Sequence, residues 1–398
     1  MEALCLLGRK APFRMLVCKK SSFLGTQRLS GASLAGRLES PHSHASQQVR
    51  AAAGSAWPAP FPRACSGLRL KSISSKRFAL QRCFSDFNVP PSAHSVARPV
   101  GICSLFKLPI RTSAEGLDAA FVGVPLDTGT SNRPGARFGP RHIRAESTMM
   151  RLFNPSTGAD PYHSLMVADI GDVNVNLYDL KDSCRQIREA FQKIVAGGCI
   201  PLTMGGDHTI TYPILQAIAE KHGPVGLVHV DAHTDTGDQA LGEKIYHGTP
   251  FRRCVDEGLL DCKRVTQIGI RGSSYARDPY QYCWDQGFRV VLAEDCWMKS
   301  LVPLMSEVRK QMGDRPVYIS FDIDGIDPAY APGTGTPEIA GLTPAQALEI
   351  IRGSRGLNIV GCDLVEVAPM YDLSGNTALL GANLLFEMLC ALPGVKRT

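Results

Sequence analysis

Val225-Gly226-Leu227-Val228-His229-Val230-Asp231-Ala232-His233-Thr234-Asp235 is the stretch that decides the fold. Val225–Val230 is a short, nearly continuous apolar run, the pattern of a strand covered on both faces. It ends abruptly in D-x-H-x-D. Alternate residues of extended chain point the same way, so Asp231, His233 and Asp235 can converge on one centre. In open parallel sheets the ligand lies beyond the carboxyl ends of the strands.

Outward from that run, strands and helices alternate. Strands are expected at Ala119–Val124, Leu165–Ile170, Cys199–Met204, Val265–Ile270, Phe288–Leu292, Val317–Phe321 and Leu357–Leu364. Helices are expected at Gly139–Leu152, Tyr178–Ala196, Thr209–Lys221, Val302–Gln311, Pro344–Arg352 and Thr377–Ala391. About eight strands alternating with helices predict an α/β fold: a mainly parallel sheet with helices on both faces, three layers in all.

Two further strands end in the same kind of chemistry. Met204-Gly205-Gly206-Asp207-His208 follows one, and Asp322-Ile323-Asp324 follows another within Ser320–Pro328. Gathering Asp231, Asp235, Asp322 and Asp324 without cations would cost several kcal/mol of like-charge repulsion. These segments contain no Lys or Arg placed to neutralise them. A pair of divalent metal ions is the simplest answer. Two imidazoles and four carboxylates suit Mn2+ better than a thiolate-preferring zinc site, with zinc or cobalt left open.

Charge separates the chain into two parts. The formal net charge is +6, but residues 1–85 carry 14 basic and two acidic residues. That segment is therefore +12 and the remainder −6. A Ser- and Arg-rich, acid-poor leader of this kind predicts mitochondrial import to the matrix. Arg82-Cys83-Phe84-Ser85 places a processing point near Phe84/Ser85. The organisation expected is a transit peptide and disordered leader over 1–85, a linker and N-terminal arm over 86–116, and a catalytic domain over 117–398. Prolines and serines make 50–100 an unstructured stretch in this reading. The acidic globular part offers no basic stripe for nucleic acid, and no apolar run is long enough to span a membrane. Thirteen cysteines without a C-x-x-C pair suit free, mostly buried thiols in a reducing compartment.

The blocks Gly205-Gly206-Asp207-His208, Asp231–Asp235 and Ser320–Pro328 together resemble the ureohydrolases, the arginase–agmatinase family. The resemblance spans about 95–398. Thr130–Pro140 and Gly335-Thr336-Pro337-Glu338 resemble its mitochondrial branch of agmatinases and guanidino acid hydrolases. It implies an arginase-like fold with two Mn2+ per subunit. His208, Asp231, Asp235 and Asp322 would hold one ion, and Asp231, His233, Asp322 and Asp324 the other. It also implies a homo-oligomer, a trimer or hexamer. Two ions about 3.5 Å apart would lower the pKa of a shared water toward ~7. By the same resemblance Asp235 orients that nucleophile as well as binding metal. Glu366 matches the family glutamate that holds the guanidinium, and His247 matches the proton-shuttle histidine.

The expected reaction is hydrolysis of a guanidino C–N bond to urea and an amine. The loop Thr236–Lys244 lacks the pattern by which arginases read an amino-acid head. Short guanidino acids such as 4-guanidinobutanoate are favoured slightly, with agmatine close behind. Arg133 or Arg271 could pair with a carboxylate tail; Asp238 or Glu243 could meet an ammonium. A strict agmatinase, a one-zinc deacetylase-like amide hydrolase and a non-enzymatic metal-binding interaction protein are the rivals.

Overall fold

The computed structural model describes residues 87–398. The leader and its processing point lie outside the described residues, and residues 87–100 run as turns and irregular chain. Among the described residues, ten strands occur in chain order: β1 Ala119–Gly123, β2 Ala159–Asp160, β3 Val167–Asp172, β4 Ile200–Met204, β5 Val225–Val230, β6 Leu260–Ile270, β7 Arg289–Leu292, β8 Pro316–Asp322, β9 Asn358–Val365 and β10 Lys396–Arg397. Eight form one sheet in the order β3-β1-β4-β9-β8-β5-β6-β7, and every pairing in it is parallel. The short β2 and β10 pair antiparallel apart from it.

Parallel neighbours need crossovers, and the helices supply them. They are α1 Gly139–Glu146, α2 Leu180–Ala196, α3 Thr211–His222, α4 Pro250–Asp256, α5 Gln281–Gln286, α6 Ala293–Cys296, α7 Val302–Met312, α8 Pro344–Gly353 and α9 Asn376–Ala391. Two hydrophobic clusters result, the signature of a sheet covered on both faces. One joins Ile143 of α1, Met305 of α7, Ile350 of α8 and Leu384 of α9 to the sheet. The other joins Ile187 and Phe191 of α2, Ile214 and Ile218 of α3 and Cys254 of α4 to it. The expected three-layer α/β/α architecture is present. No helix among the described residues is long and apolar enough to cross a membrane. The nine described cysteines are all free, seven of them buried.

Several boundaries differ from expectation for local reasons. The helix expected over Gly139–Leu152 stops at Glu146. The Ser147 hydroxyl donates to the Arg144 carbonyl at 2.7 Å and accepts Phe106 N–H at 2.8 Å, and a 3-10 turn follows. β3 starts two residues later than expected and runs on to Asp172, where Arg144 bonds Asp169 and Asp172. α4 and α5 are too short to carry an apolar period. The first half of β6 carries Asp261, Lys263 and Arg264, which hides it.

Within 86–116, Leu105, Phe106 and Leu108 join the core, with Phe106 edge-on to Phe121 at 5.2 Å. Leu105 N–H and Arg111 N–H bond the Asp169 carboxylate and carbonyl, so this segment lines the β3 edge.

Candidate metal centre

β4, β9, β8 and β5 are consecutive neighbours in the middle of the sheet. Their carboxyl ends carry His208, Glu366, Asp322 with Asp324, and Asp231 with His233 and Asp235. Residues 158 positions apart thereby touch: His208 N–H donates to Glu366 Oε1 at 3.0 Å. The turn after β4 is tight. A Cβ on Gly206 would lie 1.8 Å from the Leu126 carbonyl oxygen, so only glycine fits. Asp235 and Glu366 have φ of +50° and +63°, a conformation few non-glycine residues adopt. Such strain gathers where the surroundings must aim a side chain.

His208 is fully buried at the centre. Its Nδ1 lies 3.1 Å from Asp231 Oδ2, 2.9 Å from Asp235 Oδ2 and 3.2 Å from Asp322 Oδ2. Yet this nitrogen has no directed hydrogen-bond partner. Its other nitrogen, Nε2, meets Ser320 Oγ at 2.8 Å. Ser320 donates its own proton to Asp363 Oδ1 at 2.7 Å, so Nε2 must be the donor to Ser320. The Nδ1 position is left facing three carboxylate oxygens, the arrangement of ligands about a cation. His233 Nδ1 lies 3.2 Å from Asp324 Oδ2 and 3.4 Å from Asp231 Oδ1. His208 with His229 and Asp231, and Asp231 with His233 and Asp324, are each close enough to share an ion.

Electrostatics agree with that fit. Burial, then the charges of Asp324 and Asp231, push the Asp322 carboxyl well above the usual range. Burial and Asp231 raise Asp324 as well. Asp231 goes the other way: burial opposes its charge, but the surrounding imidazoles of His229, His208 and His233 prevail. A buried cluster that cannot ionise fully by itself is one that divalent cations would complete. The nearby guanidinium makes no hydrogen bond to these carboxylates. Arg271 directs Nε, Nη1 and Nη2 to six backbone carbonyls, those of Gly269, Asp324, Gly325, Ile326, Glu338 and Ile339.

A cleft of about 710 Å³ opens onto this cluster, lined by His233, Asp235, His247, Asp322, Asp324 and Glu338 among others. At its inner wall His247 Nδ1 meets Glu366 Oε1 at 3.0 Å, and His247 Nε2 meets Ser131 Oγ at 2.7 Å and Ser131 N at 3.1 Å. Burial lowers the His247 pKa, but the Glu366 bond and charge outweigh it and carry it to about 9. Glu366 Oε2 is buried without a partner. Asp207 caps the short 3-10 turn His208–Ile210. It accepts Gly129 and Thr209 N–H, and burial beside Glu366 raises it to about 6.

All eight residues singled out in the sequence are thus gathered in one place: His208, Asp231, His233, Asp235, His247, Asp322, Asp324 and Glu366. The suggested tail-reading groups fare differently. Arg271 is not available for a substrate carboxylate, because carbonyls occupy its guanidinium. Arg133 is exposed and lies over the Tyr371 ring at 5.3 Å. Asp238 pairs with Arg253 at 2.8 Å and Glu243 with Lys181 at 3.3 Å, so neither stands ready for an ammonium. Ser131, His229, Gln267 and Asp363 escaped the sequence reading. Only strand register, which the sequence does not print, brings the last three under the ligands.

Comparison with known proteins fits this geometry. A family model described as the arginase family matches residues 117–390. "Agmatinase, mitochondrial" of Gallus gallus is 84% identical over 312 residues, 78% of this chain and 92% of that one. "Guanidino acid hydrolase, mitochondrial" of Homo sapiens is 80% identical over 308 residues, 77% of this chain and 88% of that one. The solved structure of proclavaminate amidino hydrolase from Streptomyces clavuligerus superposes with a TM-score of 0.71 at 38% identity, covering 74% of this chain and 99% of that one. The chain belongs to the arginase family, as a mitochondrial ureohydrolase of the agmatinase and guanidino acid hydrolase branch.

Proposed function

We propose that the chain hydrolyses short linear guanidino acids, 4-guanidinobutanoate foremost, to urea and the corresponding amino acid, using two Mn2+ per subunit. The carrying observation is Glu366: one carboxylate oxygen is fixed by His208 N–H and His247, and the other is buried with no partner. A guanidinium offers paired N–H donors to such an oxygen.

Each residue has a role in this reading. His208, Asp231, Asp235 and Asp322 would hold one ion; Asp231, His233, Asp322 and Asp324 would hold the other. Bound there, the ions supply a water acidic enough to be a nucleophile near neutral pH. Asp235 orients that water toward the guanidino carbon from its strained φ. Glu366 holds the guanidinium with its plane open to attack. His247, held between Glu366 and Ser131, passes a proton to the departing amine nitrogen, and the alkylamine and urea leave separately.

With Arg271 occupied, a substrate carboxylate would meet hydroxyl and N–H groups of the cleft, such as Ser131, Ser273, Ser274 and Tyr246. Agmatine is the second reading, favoured by Glu338 at the rim, whose carboxylate suits an ammonium tail. Side-by-side kcat/KM values for 4-guanidinobutanoate and agmatine decide between them. Higher efficiency on agmatine overturns the first reading. A homo-oligomer, trimer or hexamer, also belongs to this proposal. It is supported by fully exposed Leu241, Tyr275, Met298 and Leu373, and light scattering on the purified protein tests it.

A further inference from the structure

A row of buried polar residues crosses the sheet one register level below the metal ligands. Gln267 on β6 pairs with His229 on β5, His229 with Ser320 on β8, and Ser320 with Asp363 on β9. All four are 0% exposed. Buried polar groups of this kind are kept only where they are hydrogen-bonded to some end. Ser320 and Asp363 serve His208, as described. His229 and Gln267 have no such assigned partner.

Their hydrogen bonds fix where every proton must be. Gln267 Nε2 donates to the Thr234 carbonyl at 2.7 Å and lies 3.0 Å from His229 Nδ1. Turning the amide over would bring Oε1 against the Thr234 oxygen, acceptor against acceptor. The amide nitrogen therefore faces both groups, and Gln267 Oε1 is left without a partner. Facing an N–H donor, His229 Nδ1 must be the lone-pair nitrogen. The ring proton then sits on Nε2, which meets Asp231 Oδ2 at 2.8 Å. Phe251 packs on the ring at 4.3 Å and holds its plane.

We propose that His229 is a positioning residue for Asp231, locked by Gln267 as a donor and not itself a metal ligand. Asp231 Oδ1 accepts His233 N–H at 2.6 Å while Oδ2 accepts His229 Nε2–H. One lone pair on each oxygen is thus tied down and the carboxylate is aimed between His208 and His233. Gln267 closes the loop by also holding Thr234, between His233 and Asp235. Proximity alone would allow His229 to ligate beside His208 and Asp231; the proton on Nε2 excludes it. The inference rests on the two-ion reading above.

The test is titration of the metal-free chain with Mn2+, following free ion by electron paramagnetic resonance. Wild type should take two ions. His229→Leu, which keeps bulk and removes the donor, should weaken binding about 10–100-fold. His229→Gln keeps an N–H near the Nε2 position and should bind about tenfold or more tightly than the leucine variant. Leucine and wild type alike, or leucine and glutamine equally weak, overturns the proposal. Should His229→Leu fail to fold, Gln267→Met leaves the imidazole in place and unlocks it. Unchanged affinity there overturns it equally. Electron spin-echo signals should count two histidine nitrogens on manganese, and a third means that His229 ligates. A wild-type chain that takes up no metal defeats the two-ion reading itself, whereas two ions in wild type with unaffected variants defeats only the role of His229.

Discussion

His247 Nδ1 and Glu366 Oε1 lie 3.0 Å apart, and that same oxygen accepts the backbone N–H of His208. The proposed acid, the proposed guanidinium anchor and a proposed metal ligand are therefore parts of one hydrogen-bonded unit. Glu366→Gln should keep two bound Mn2+ and lose about 10²–10³-fold in kcat, the scale of deleting one charge-stabilising contact. Metal content with steady-state rates checks it. Near-normal turnover would remove Glu366 from its role.

That unit also sets a pH limit. The bond to Glu366 raises the His247 pKa to about 9 from an ordinary value of 6.5. If protonated His247 delivers the proton, kcat should fall as pH rises through about 9. The same shift contributes folding stability, fully present below about 6.5 and lost as pH climbs through 9. Glu366→Gln removes the main cause that raises it, so the alkaline limb should move toward neutral. A limb that does not move in that variant assigns the limit to another group.

Loss of metal should be felt as loss of stability. A ligand that binds only the folded state at a hundredfold its Kd adds about 2.7 kcal/mol. Chelation should lower Tm, and Mn2+ should restore it. Asp231→Ala and Asp322→Ala should lose metal and activity together, because each removes a carboxylate that both proposed ligand sets share. A Tm indifferent to chelator would count against the centre.

Arg144 supplies a test away from the cleft. It is 8% exposed and bonds Asp169 through Nε at 2.8 Å and Asp172 through Nη1 at 2.6 Å. Arg144→Met leaves the buried Asp169 carboxylate with backbone N–H donors but no countercharge, and should destabilise by about 3 kcal/mol. Denaturant unfolding measures this, and a loss under about 1 kcal/mol refutes the account.

Most of the site was legible because each strand announces its end. Val225–Val230 turns into D-x-H-x-D, and Phe321 into D-x-D, within single segments. Their convergence follows from a parallel sheet with all carboxyl ends on one side. The illegible part depends on relations between segments. Gln267 and His229 are 38 residues apart and meet only through the β5–β6 register. Arg271 looks like a free cation at a strand end. Its capture by carbonyls depends on how the chain from Asp324 to Ile339 folds back over it. α4 and α5 escaped notice because six or seven residues cannot display a helical period.

The order of the four central strands bears on how the protein matures. β4, β5, β8 and β9 are neighbours in space but stretch from Ile200 to Val365 along the chain. Before folding, only Asp231, His233 and Asp235 lie close together and, separately, Asp322 and Asp324. A tight two-ion site therefore cannot exist until the long crossovers have closed, and such non-local pairing is slow. A chain that enters its organelle unfolded would have to fold first and acquire manganese last. Metal uptake would then seal a finished structure rather than nucleate one, and would make occupancy a readout of successful assembly.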